Sequence, residues 1–176
     1  MADKILKVEQ KKYAPHDDSA LRYIRRVETR LVDDGTFRYD GEPLTDSARI
    51  YSVFHSLGHR DRENAVIVFL DKLQMPIGYD IYMGGIDFVS IDPRQVFKVA
   101  ANLNSSKLII LHNHPEGTPH PSGNDEMFCI QICNLCYVMG WEVVDMLIIT
   151  PAGFYSFRDT KNSALLTQFQ NVEVKI

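Results

Sequence analysis

The run Ala65-Val66-Ile67-Val68-Phe69-Leu70, closed by Asp71, constrains the fold more than any other stretch. A short, continuously apolar run of this kind is consistent with a buried strand. Residues 75–82 read as its neighbour, closing at Gly84-Gly85. Asp92-Pro93 then opens a helix, with Asp92 as N-cap, Pro93 at the first helical position, and Val96, Phe97, Val99, Ala100 and Leu103 as the inner face. Residues 107–111 form another strand, which leads directly into His112-Asn113-His114-Pro115. After a loop holding Gly117, Pro119 and Pro121, residues 125–139 read as an almost wholly apolar helix ending at Gly140. Residues 141–150 and 154–157 are the last strands. Strands alternating with helices indicate an α/β or α+β layered domain.

Upstream, residues 1–20 are polar, with Lys4, Lys7, Lys11 and Lys12, and read as a solvated leader. Residues 21–39 suit two short strands around the Asp34-Gly35 turn signal, one carrying Arg25, Val27, Thr29 and Leu31, the other Phe37 and Tyr39. Ser47 follows Pro43, and Ile50, Val53, Phe54 and Leu57 keep helical spacing up to Gly58. A chain of 176 residues, 45% apolar and 24% charged, suits one globular domain whose core needs no disulfide staples. Lys and Arg number 19 against 23 Asp and Glu, and this net charge of −4 argues against a large basic footprint for nucleic acid or an anionic membrane. Nothing resembles a membrane span or a secretory leader. The three cysteines cannot all pair with one another, which fits a reduced, cytoplasmic setting.

The chemistry gathers around the strand end. His112 and His114 are i and i+2 in an extended segment, so both imidazoles can face one metal. Ser122 and Asp125 are three apart at the predicted start of the next helix and share a face. Two neutral imidazoles and one carboxylate leave a fourth tetrahedral position for water, the ligand count of a catalytic zinc site. Ser122 can donate to a polarised carbonyl oxygen, and a carboxylate outside the ligand set should act as general acid and base. Both Glu63, at the mouth of the 65–70 strand, and Glu116, nearer in sequence, meet that description.

The segment from His112 to Asp125, read as His-x-His-Pro followed by Ser-x-x-Asp, resembles the JAMM (MPN+) metalloprotease motif. Asn113 and the Pro121-Ser122 pair make it resemble the RadC-like (JAB) branch. Arg62-Glu63 before the apolar strand and Asp92-Pro93-Arg94-Gln95-Val96 at the helix opening extend the likeness over about residues 44–158. The resemblance implies a three-layer α/β/α, cytidine-deaminase-like fold with a mixed central sheet, at residues 44–160 between an N-terminal extension (1–43) and a tail (161–176). It implies zinc on His112, His114 and Asp125, with Ser122 assisting the oxyanion, and it selects Glu63 over Glu116 as the catalytic glutamate. The chain departs from the family's pattern at Glu116, where Ser is usual, at Asp80, where Glu is common, and at Gly85, where Thr is usual. The helix-hairpin-helix region that precedes this domain in full-length RadC-like proteins is not visible.

The implied activity is zinc-dependent hydrolysis of a peptide or of the isopeptide bond in a ubiquitin-like conjugate, through a water that Glu63 activates. Two other readings compete. One is a nucleic-acid-associated DNA-repair factor, for which Arg22, Arg25 and Arg26 are the only compact cationic cluster. The other is a zinc-binding scaffold without catalysis. Cys129, Cys133 and Cys136 have the spacing of an iron–sulfur ligand set, but i, i+4, i+7 also places them on one face of a buried helix, which is the expected reading. His120 reads as a surface loop histidine. Nothing in the sequence fixes the oligomeric state.

Overall fold

The computed structural model describes residues 30–84 and 91–167. Its elements belong to the unit that starts at Leu31. Helix α1 (Ser47–Phe54) runs into a 3-10 turn (His55–His59), and strands β1 (Asn64–Leu70) and β2 (Pro76–Met83) follow. Helix α2 (Pro93–Asn102) then leads to β3 (Lys107–Asn113), α3 (Gly123–Met139), β4 (Glu142–Thr150), β5 (Gly153–Ser156) and α4 (Ser163–Thr167). The sheet order is β2-β1-β3-β4-β5. Among the described strands only β3 and β4 run parallel, joined through α3, so the sheet is mixed as expected.

Every residue of β1 is buried because the sheet is covered on both faces. Ile67, Phe69, Leu108, Ile110, Met146 and Ile148 pack against α2 and α3. Val66, Val68, Leu70, Ile109, Leu111, Leu147 and Ile149 pack against Ile50 and Phe54 of α1 and Leu57 of the 3-10 turn. Period-two alternation therefore generates the three α/β/α layers. The cysteines lie where helical spacing placed them, buried on the sheet side of α3. Burial pushes the Cys136 thiol up to about 12, and its neighbour Cys133 together with burial raises Cys129 as well, so these thiols stay protonated.

Of the strand pair proposed at 21–39, Arg25, Val27 and Thr29 lie outside the described residues, and residues 30–43 contain no strand. Asp34 bonds locally instead, accepting from the Thr36 N–H at 3.0 Å and from the Tyr79 hydroxyl at 2.6 Å. Phe37 packs on Phe54 and Tyr79. A side chain that satisfies nearby backbone in this way offers an alternative to a strand ladder. Within residues 161–176, read as a tail, α4 packs Leu165 and Leu166 on the α3 side of the core. Asn162 donates to the Glu126 carboxylate at 2.9 Å.

Candidate metal centre

The centre forms where β3 leaves the sheet. Leu108, Ile110 and His112 alternate onto the α3 side, so His112 faces the start of that helix. Antiparallel pairing of Ala65 with His112 brings the β1 entry beside the same point, and Glu63, in phase with Ala65, shares that face. The chain then turns through Gly117, at φ +88°, whose N–H donates to the His114 carbonyl at 3.0 Å. It returns at Ser122, the N-cap of α3. Ser122 and Asp125 form a capping box: the Asp125 N–H donates to the Ser122 hydroxyl at 3.2 Å, and the Ser122 N–H donates to Asp125 Oδ2 at 2.7 Å. The Ser122 hydroxyl proton also goes to Asp125 Oδ2, at 2.6 Å.

The two imidazoles are held alike. His112 Nδ1 donates to the Asn64 carbonyl at 3.0 Å, and His114 Nδ1 to the Thr118 carbonyl at 2.8 Å. Both Nε2 atoms are thereby left facing Asp125, with His112 Nε2 3.5 Å from Oδ1 and His114 Nε2 3.4 Å from Oδ2. Glu63 Oε2 lies 3.7 Å from His112 Nε2. One donor atom each from Glu63, His112 and His114 lies within 4.8 Å of the others, close enough to share a metal ion. Together with Asp125, these donors fit a divalent cation: two backbone-anchored imidazoles present nitrogens and two buried carboxylates present oxygens, as zinc prefers.

Electrostatics agree with that fit. Burial pushes the His112 pKa below its usual value. Burial acts the same way on His114, but its bond to Asp125, helped by the Thr118 carbonyl and the charges of Asp125 and Glu116, outweighs it and raises the pKa. Burial would raise Asp125, yet bonds from His114 and Ser122 and the nearness of His112 hold it at about 2. Both shifts favour a charged His114–Asp125 pair, and a metal ion bound there would displace a proton from His114 Nε2.

All five residues singled out in the sequence, Glu63, His112, His114, Ser122 and Asp125, line one cavity of about 280 Å³. Glu116 and Asn124 complete its polar wall, and Ala65, Ile110, Phe128 and Met146 are among its apolar lining. Asp80 lies opposite Ile67 in β2 and His120 packs its ring on Tyr155, and neither lines the cavity. Sequence reasoning missed the part played by Asn113. Its side chain is fully buried, accepting from the Asn64 N–H at 2.7 Å and donating to the Arg62 carbonyl at 3.0 Å, so it grips the backbone on both sides of Glu63. Its place between the two histidines and its match to the RadC-like pattern were the signals at hand, and neither points to this grip.

A three-layer mixed sheet with this cluster at a strand end defines a JAB-type domain. Residues 44–162 match the RadC-like JAB domain, and the chain belongs to that family. Among curated relatives, a UPF0758 protein of Thermotoga maritima is 32% identical over 119 residues, which is 67% of this chain and 54% of the relative. One from Streptococcus suis is 30% identical over 64% of this chain and 46% of the relative. One from Clostridium botulinum is 36% identical over 53% of this chain and 41% of the relative. The chain thus spans about half the length of the curated relatives it matches. Among the described residues, no helix is long and apolar enough to cross a membrane.

Proposed function

We propose that the protein is a zinc-dependent hydrolase of amide bonds, a metalloprotease or isopeptidase in type. The observation that carries this reading is the convergence of His112 Nε2, His114 Nε2 and the Asp125 carboxylate, with Glu63 beside them in one cavity. His112, His114 and Asp125 would hold the metal. When bound, zinc supplies a Lewis acid that polarises a carbonyl and lowers the pKa of a water toward about 7. The Nδ1 bonds to Asn64 and Thr118 keep both rings in the tautomer that offers Nε2. Glu63 acts as the base that accepts a proton from the attacking water and returns it to the leaving amine. Asn113 fixes the backbone from which Glu63 projects. The Ser122 hydroxyl stabilises the developing oxyanion by turning its proton from Asp125 to the substrate oxygen, while the Ser122 N–H keeps Asp125 in place.

The test is Glu63→Gln in the full chain, zinc-loaded and incubated with a mixture of unstructured peptides. Zinc retained with cleavage lost supports the base assignment. Zinc lost with the substitution would move Glu63 into the ligand set, and full cleavage would remove it from the chemistry.

A further inference from the structure

We infer, resting on the amide-hydrolase reading, that the cavity takes a substrate with a cationic side chain beside the scissile bond. Glu116 is the residue that reads that charge. Glu116 stands on the loop between β3 and α3, its side chain 58% exposed, and it lines the same cavity as the metal-binding cluster. Its Oε1 lies 3.4 Å from His114 Nδ1. That nitrogen's proton is directed to the Thr118 carbonyl, so the contact does not neutralise Glu116 once His114 is a neutral ligand. Among the described residues, no lysine or arginine lines the cavity or lies within ion-pair distance of Glu116.

The charge count then follows from the lining itself. Among the described residues that line the cavity, Glu63, Glu116 and Asp125 bring three carboxylates, the histidines are neutral when they bind metal, and a divalent cation offsets two of the three. One negative charge remains, and the half-exposed Glu116 is where it meets an incoming substrate. The lining also includes the apolar Ala65, Ile110, Phe128 and Met146. A lysine or arginine suits both surfaces, since its methylene stem packs on apolar groups while its charged end stays polar. An acidic side chain beside the scissile bond meets repulsion from Glu116 and, among the described residues that line the cavity, finds no lysine or arginine to pair with.

The experiment uses the full chain loaded with zinc and a peptide mixture in which positions around a fixed backbone vary among Lys, Arg, Ala and Glu. Cleavage products are read by mass spectrometry for wild type, Glu116→Ser and Glu116→Lys. Wild type should prefer Lys or Arg over Ala by roughly tenfold, as expected for one charge pair near a surface, and added salt should shrink the preference. The ratio should fall toward one in Glu116→Ser and turn toward Glu peptides in Glu116→Lys. Cleavage without charge preference, or a preference unchanged in Glu116→Ser, overturns this inference and leaves the hydrolase reading standing. Failure of zinc-loaded wild type to cleave any peptide overturns the hydrolase reading, and this inference falls with it.

Discussion

Asn113 and Asn64 fasten the end of β3 to the start of β1. The Asn113 side-chain oxygen accepts the Asn64 N–H at 2.7 Å, and its amide donates to the Arg62 carbonyl at 3.0 Å. Asn64 in turn offers its carbonyl to His112 Nδ1, so one buried amide organises both Glu63 and His112. Asn113→Ala orphans the Asn64 N–H, whereas the Arg62 carbonyl keeps the bond from the Asn64 side-chain amide at 2.7 Å, and should cost about 1–3 kcal/mol in urea unfolding of the zinc-free protein. Asn113→Leu restores volume without hydrogen-bonding capacity and should rescue little. A full rescue by leucine would show that packing, and not the amide, carries the contribution.

Ser122→Ala removes the N-cap of α3 and should cost about 1 kcal/mol. It also removes one of the bonds that hold Asp125 at about 2, so the Asp125 carboxyl should titrate closer to an ordinary aspartate in an NMR pH series. Ser122→Thr keeps the hydroxyl and should retain most of both effects. An unshifted Asp125 in Ser122→Ala would mean that the hydroxyl bond contributes nothing.

Asp145 is fully buried, and burial raises its pKa despite donors from the Ser156 hydroxyl and the Met146 and Arg158 N–H groups. A folded-state pKa above the unfolded value of 3.8 gives stability that is present below 3.8 and lost as pH rises through the folded value. The unfolding free energy of wild type relative to Asp145→Asn should therefore increase as pH falls from about 7 to about 3. A difference that is flat with pH, or of opposite slope, contradicts the raised value.

Metal binding competes with protonation of His114 Nε2, which the Asp125 carboxylate 3.4 Å away favours. Because the His114 pKa stands above 6.5, zinc affinity measured against a competing chelator should begin to fall, on acidification, at a pH above that of an ordinary histidine. Asp125→Asn removes the partner that raises it and should move the inflection down. An inflection below 6.5 in wild type would contradict the arrangement.

Much of this was legible in the sequence because it depends on local spacing. The strand 65–70, the Asp92-Pro93 helix start, the Ser122–Asp125 pair and the buried cysteine face are each set by residues within a turn or two of one another. The placement of Glu63 beside His112 is not local: it depends on pairing Ala65 with His112 across the sheet, and only the family likeness favours Glu63 over Glu116 as the base. The grip of Asn113 on residues 62 and 64 spans about fifty positions and leaves no pattern in the chain. The strand expectation at Phe37 and Tyr39 failed because Asp34 satisfies nearby backbone and Phe37 packs under Tyr79, neither of which follows from a turn signal. Helix α4 is too short to show a period, and it owes its place to Leu165 and Leu166 meeting the core.

The most direct measurement is zinc stoichiometry by elemental mass spectrometry on wild type and His114→Ala, each zinc-loaded and then dialysed against a weak chelator. One zinc per chain in wild type, lost in His114→Ala, is the result expected if His112, His114 and Asp125 form the metal centre. Wild type that retains no zinc, or His114→Ala that retains it fully, would contradict the account at its centre.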